Sequence, residues 1–188
     1  MQSKDFKYHG HRNTHTVLNE VDFWTTTINK WQQLLKPTEN KMIAINSLQW
    51  LVKKKLIEIY RYVIMPNHIH LIWKQLKMNG KESPKNSFEK FTAKTLLNNM
   101  QKSNDANLKN YSIDATDRAY NIWQRDPLAV QLFKVSMAAQ KLDYLHLNPV
   151  QPHRLLCSQP AANSFLSACF YEQQINEFGL LTHFGEAF

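Results

Sequence analysis

Cysteine is almost missing from this chain: Cys157 and Cys169 are the only two in 188 residues. Without a second pair they make no zinc-ligand pattern, and reduced, buried or incidental thiols are the simplest reading. Their loop could close a disulfide, but nothing in the sequence demands it. Also missing is any apolar run long enough to cross a bilayer, and the N-terminal residues are polar and basic rather than signal-like. The expectation is a soluble, cytoplasmic protein. No internal repeat is visible, so a repeat architecture is not expected. Acidic residues are short in supply, 15 against 23 Lys and Arg, for a formal charge of +8. That balance favours a polyanionic partner, with nucleic acid the default. The basic residues are spread out, however, and the tightest run, Lys53-Lys54-Lys55, sits at an expected helix end, where the helix dipole favours cations.

What is present suits one domain, with 43% hydrophobic residues for a core. Residues 1–20 read as a polar arm and 21–150 as the main domain. Residues 151–188 form a C-terminal extension, too apolar for a disordered tail, that is expected to pack on the domain or on a partner subunit. Val21 to Ile28 reads as a strand. A helix is expected over Lys41–Lys54, with Ile43, Leu48, Leu51 and Val52 as its apolar face. Two strands follow, on either side of Pro66-Asn67. Gly80 and Pro84 mark a loop, and a second helix runs from Ser87 to Met100 with Ser87 available as its cap. The polar stretch Gln101–Asn121 reads as a long loop, functional or disordered. A strand over Ile122–Gln131 comes next, with Pro127 at an edge or bulge, and then a helix over Val135–Leu147. This order predicts an α+β fold: a ferredoxin-like split βαβ with an antiparallel sheet and helices on one face. Such a fold hosts many unrelated activities.

The chemistry concentrates in two places. The first is Met65-Pro66-Asn67-His68-Ile69-His70-Leu71-Ile72. Residues i and i+2 of a strand share a face, so His68 and His70 present two imidazoles side by side while Ile69, Leu71 and Trp73 point the other way. Two imidazoles on a rigid strand suit a divalent metal, although a lone His-x-His is common by chance. The second lies on the helix ending near Asn148, where Pro149 disfavours helical geometry. Val135, Ala138, Leu142 and Leu145 make its apolar stripe. Tyr144 and Asn148 are four apart and share a polar side with Gln140 and Lys141.

Together, the His segment and Tyr144-Leu145-His146-Leu147-Asn148-Pro149-Val150 resemble the single-tyrosine HUH transposases, in particular the REP-associated tyrosine transposases and their insertion-sequence relatives. Phe88-Glu89-Lys90-Phe91-Thr92-Ala93-Lys94 and Ile122-Trp123-Gln124-Arg125-Asp126 add to the likeness, which spans roughly residues 20–170. Pro127-Leu128-Ala129 and Gln151-Pro152-His153-Arg154 depart from the family pattern, which touches substrate details more than chemistry.

The resemblance implies a DNA-binding, nucleoid-associated enzyme that cleaves and rejoins single-stranded DNA, often at hairpins. His68, His70 and Asn148 would hold Mg2+ or Mn2+. Tyr144 would be the nucleophile that forms a 5′-phosphotyrosine; its ordinary pKa near 10 calls for activation by the metal or by Lys141. Lys141, Arg125 and Lys74 are the candidate DNA contacts, and His146 points to another face of the helix. Relatives exist as complete monomers and as homodimers in which the tyrosine helix serves the partner subunit. The competing readings are a domesticated DNA-binding protein of the same fold with little cleavage, a water-using metal hydrolase, and a structural nucleic-acid binder.

Overall fold

The computed structural model describes residues 17–113, 119–132, 165–167, 170–171, 174–183 and 185. The polar arm through residue 16 and the segment 133–164, with the expected tyrosine helix, lie outside them.

A single antiparallel sheet organises the chain. Its strands are β1 (Val21–Thr27), β2 (Ile57–Ile64), β3 (His68–Gln75) and β4 (Leu128–Gln131). They lie side by side as β2-β3-β1-β4, every neighbouring pair antiparallel. Helix α1 (Thr38–Lys53) joins β1 to β2, and α2 (Pro84–Lys102) joins β3 to β4. This is the expected split βαβ sheet.

Strand alternation sorts the side chains. One sheet face carries Trp24, Ile69, Leu71 and Trp73, and both helices pack on it. Trp24 stacks on Trp73 with ring centroids 4.9 Å apart, and Phe88 of α2 meets Trp24 edge-on at 5.8 Å. Each such aromatic pair adds about 0.5–1.5 kcal/mol beyond the area it buries. From α1 come Ala44, Ile45, Leu48 and Leu51, a helical stripe. Ile43 and Val52, expected on the apolar face, pack only at its margin. The opposite sheet face carries Phe23, Tyr60, Val63 and Ile72, joined by Leu166 from the C-terminal region. A bulge between Ile59 and Arg61 places Tyr60 and Arg61 opposite Ile72, which re-phases β2 so that Tyr62 and Ile64 return to the helix side.

The outer edge of β2 is not bare. Residues 165–167 run beside it, with Ile64 N donating to Phe165 O at 3.0 Å and Ser167 N to Tyr62 O at 3.0 Å. Leu181 bridges Ile59 in parallel, and the Tyr171 hydroxyl donates to Tyr60 O at 2.8 Å. Backbone groups that would otherwise invite strand pairing from another chain are thereby occupied.

Three boundaries differ from the sequence reading, each for a local reason. Helix α2 begins three residues early because Ser83, not Ser87, is the cap: its side chain accepts from Asn86 N, and Pro84 takes the first turn, where a missing N–H does no harm. Helix α1 begins at Thr38, directly after Pro37. Strand β4 starts only at Leu128, because Asp126 takes φ 57° and Pro127 follows it. Trp123 instead makes one isolated bridge to Ile28. Both helices end in the same hydrogen-bonded loop, with Lys55 (φ 52°) and Asn104 (φ 50°) in the left-handed position. Leu56 N reaches back to Leu51 O, and Asp105 N to Met100 O. The long loop between α2 and β4 contains a 3-10 segment, Ala106–Tyr111, capped by the Asp105 side chain.

Candidate metal centre and nucleic-acid interface

The hairpin between β2 and β3 closes tightly, with Met65 N donating to His68 O at 2.9 Å across Pro66-Asn67. His68 is therefore the first residue of β3 and His70 the third, on the face away from the helices. In register, Thr27 lies opposite His68, and Thr25 and Val63 flank His70. The two imidazoles are neighbours: their centroids are 4.6 Å apart and the planes are inclined by 74°. Both residues are buried, at 6% and 7% exposure.

Each ring is held through its Nδ1 atom. His68 Nδ1 lies 2.7 Å from Asn67 Oδ1. An amide oxygen only accepts, so Nδ1 carries the proton and donates. His70 Nδ1 lies 2.7 Å from the Thr25 hydroxyl, and Phe23 stacks on the same ring at 5.5 Å. A hydrogen bond at one ring nitrogen that fixes the tautomer and orientation of the other is the usual support of a metal-binding histidine. Two nitrogens on one ion lie within about 4 Å of each other, and centroids 4.6 Å apart put that within reach. The donor set fits a divalent cation. Among the described residues no third His, Cys, Asp or Glu completes a cluster.

The turn after β1 borders this site. Ile28 N donates to Asn67 O at 2.8 Å, and Leu35 N to Pro66 O at 2.8 Å, so the turn is bonded to the loop that bears His68. Within it Lys30 and Trp31 take φ values of 54° and 57°, a left-handed conformation that costs non-glycine residues roughly 1–2 kcal/mol each. Trp31 is 60% exposed, and its indole meets His68 edge-on at 6.2 Å.

Arg125 comes to the same end of the sheet. Gln124 N donates to Thr27 O at 2.8 Å, and Thr27 pairs with His68. The segment is anchored by Trp123, whose indole N–H donates to Thr92 Oγ1 at 3.0 Å in the core, while Thr92 donates to Phe88 O. Arg125, exposed, also borders a groove of about 720 Å³ between α2 and residues 120–127, together with Lys90, Lys94 and Tyr120. Lys74 is elsewhere. It shares the histidine face of β3 but lies four residues beyond His70, about 13 Å along the strand, opposite Glu58. Tyr144, Asn148 and Lys141 lie outside the described residues.

Two acids, buried Asp22 and half-buried Glu89, sit on the helix side of β1. Asp22 is pushed up to about 7 by burial and by Glu20, against the pull of Lys85. Glu89 is also raised by burial, although Thr26 Oγ1 donates to it at 2.9 Å.

Asn67, Thr25 and Trp31 escaped the sequence reading. Asn67 carried a signal, its place beside the His pair, but turn chemistry accounted for it. Thr25 is one of three adjacent threonines, and only the register with β3 singles it out.

No protein-family model and no curated protein matches the chain. Its fold is similar to that of a solved structure of a REP-associated tyrosine transposase bound to a REP hairpin, with 18% identity and a TM-score of 0.57. The match covers 94% of this chain and 88% of that one. The likeness establishes the architecture: a four-stranded antiparallel sheet with its helices. Among the described residues no helix is long and apolar enough to cross a membrane.

Proposed function

We propose that this protein is a metal-dependent transposase or endonuclease of single-stranded DNA that cleaves and rejoins strands through a 5′-phosphotyrosine. The observation that carries the reading is the buried His68–His70 pair, each ring fixed through Nδ1 by its own partner. Supporting it are the sequence resemblance in the Tyr144–Val150 segment, the net charge of +8, and a fold shared with a tyrosine transposase whose solved structure holds a REP hairpin.

In this reading His68 and His70 hold a divalent cation, Mg2+ or Mn2+, with Asn148 as a further oxygen ligand. The cation supplies Lewis-acid polarisation of the scissile phosphate and offsets charge in the transition state. Thr25 and Asn67 keep the imidazoles aimed, and the Asn67 oxygen holds the His68 proton on Nδ1. The Tyr144 phenol oxygen attacks phosphorus. A bond forms between that oxygen and phosphorus while the bond from phosphorus to the 3′-oxygen breaks. The leaving oxygen takes up a proton as the phenol gives one up, leaving a free 3′-hydroxyl. Attack by a 3′-hydroxyl on the phosphotyrosine reverses the step or joins a new strand, so no nucleotide cofactor is consumed. Exposed Arg125, at the histidine end of the sheet, contacts backbone phosphate.

The test is covalent trapping. Hairpin-bearing single-stranded DNA is incubated with the protein and Mn2+ and run on a denaturing gel. A metal-dependent adduct, absent in Tyr144→Phe and His68→Ala, is the expected result. Metal-dependent cleavage with no adduct would replace it with a water-using hydrolase. Tight binding with neither would favour a domesticated DNA-binding protein.

A further inference from the structure

We infer that Trp31 is the stacking platform for a nucleobase next to the scissile phosphate, a substrate-binding residue that sets the strand over the histidine pair. The inference deepens the single-stranded DNA reading above and rests on it.

Three independent observations converge on this residue. A large aromatic side chain is 60% exposed, beside two histidines that are themselves buried. Its ring lies 6.2 Å from that of His68 and meets it edge-on, so a base stacked on the indole would lie beside the histidine pair. Its backbone is held in the left-handed region at φ 57°, directly after Lys30 at 54°. A non-glycine residue persists there only where the surroundings impose it, and such positions cluster at ligand sites.

The surroundings do impose it. The turn is bonded on two sides: Ile28 N to Asn67 O and Asn29 N to Ile122 O, at 2.8 and 2.7 Å, while Trp31 N closes back on Ile28 O at 3.0 Å. Asn67 is the residue that orients His68, and Ile122 opens the segment that carries Arg125. The indole is therefore placed by the two loops that place the metal ligand and the phosphate contact. A rigid aromatic face loses little entropy on binding a base. Every base has a π-face, so stacking there tolerates sequence and leaves specificity to other contacts.

The experiment uses the full chain carrying Tyr144→Phe, so that binding is read without cleavage. The probe is a fluorescein-labelled oligothymidylate, followed by anisotropy. Trp31→Ala should weaken binding by about 5- to 150-fold, whereas Trp31→Phe should retain most of it. Trp50→Ala, which removes an exposed tryptophan of α1 on the other layer, should leave affinity unchanged. On an abasic oligomer, which offers phosphate but no base, the parent and Trp31→Ala should bind alike. Trp31→Gly, which relaxes the backbone, should fold at least as well as the parent and still lose affinity. Equal affinity of the parent and Trp31→Ala for oligothymidylate would overturn the role of Trp31 and leave the proposed function standing. Failure of the parent to bind any single-stranded DNA would remove the proposed function itself.

Discussion

Replacing Thr25 with valine separates metal binding from folding. The two side chains have nearly the same shape, and valine favours strands. What is lost is the hydroxyl that lies 2.7 Å from His70 Nδ1. One hydrogen bond is worth about 1 kcal/mol to folding, so thermal unfolding should shift only slightly. Metal binding should suffer more, because the His70 ring then loses the group that holds its orientation. Loss of such a supporting partner reduces metal affinity about 10- to 100-fold, or roughly 1.4–2.7 kcal/mol. Calorimetric titration with Mn2+ reads the difference directly. Thr25→Ser keeps the hydroxyl and should restore most of the affinity; His70→Ala should weaken binding further than Thr25→Val. If Thr25→Val bound Mn2+ as tightly as the parent while His70→Ala did not, the hydroxyl would have no part in aiming the ring. Unchanged affinity in His68→Ala and His70→Ala alike would remove the metal site from β3 altogether.

Thr92→Val should destabilise the protein by about 1–3 kcal/mol in urea unfolding, because it leaves the buried Trp123 N–H without its acceptor; a neutral result would mean that the indole finds another partner. Lys55→Gly should stabilise by about 1 kcal/mol, since glycine takes the left-handed position after α1 without the side-chain penalty, and a lower midpoint would show that the lysine contributes more than its backbone costs. Asp22 tests the sign of a buried charge. Its carboxyl is raised to about 7, so the folded protein keeps a proton that the unfolded chain releases above about pH 4. Its contribution is therefore complete at low pH and is lost as pH climbs through about 7, by on the order of 2–4 kcal/mol. Asp22→Asn should flatten that fall across a series of urea unfolding curves, and an unchanged slope would exclude Asp22 as its source.

Much of the architecture was legible because it rests on alternation. Phe23 and Trp24 lie on opposite sheet faces, as do His70 and Leu71, and that two-residue period is visible in the sequence. Boundaries set by capping were not. Pro84 reads as a breaker by composition, yet it opens α2 because Ser83 precedes it. The start of β4 depends on the left-handed backbone at Asp126, and the turn after β1 on that at Lys30 and Trp31; for the last two no local propensity favours it, and the turn's hydrogen bonds to Asn67 and Ile122 hold it in place. The same division runs through the site. His68 and His70 announce themselves by spacing, whereas strand register brings Thr25 to His70 and a turn bonded to two distant loops brings Trp31 to His68. Lys74 shows the opposite failure, since sharing a strand face with the histidines does not bring it near them.

The central claim is that Tyr144 becomes covalently attached to DNA beside the His68–His70 site. Proteolysis of the denatured protein–DNA adduct, followed by mass spectrometry, tests it most directly. One nucleotide-bearing peptide is expected, spanning Tyr144, whose formation requires Mn2+ and an intact His68 and His70. An adduct on any other residue, or complete cleavage with every peptide unmodified, would contradict it.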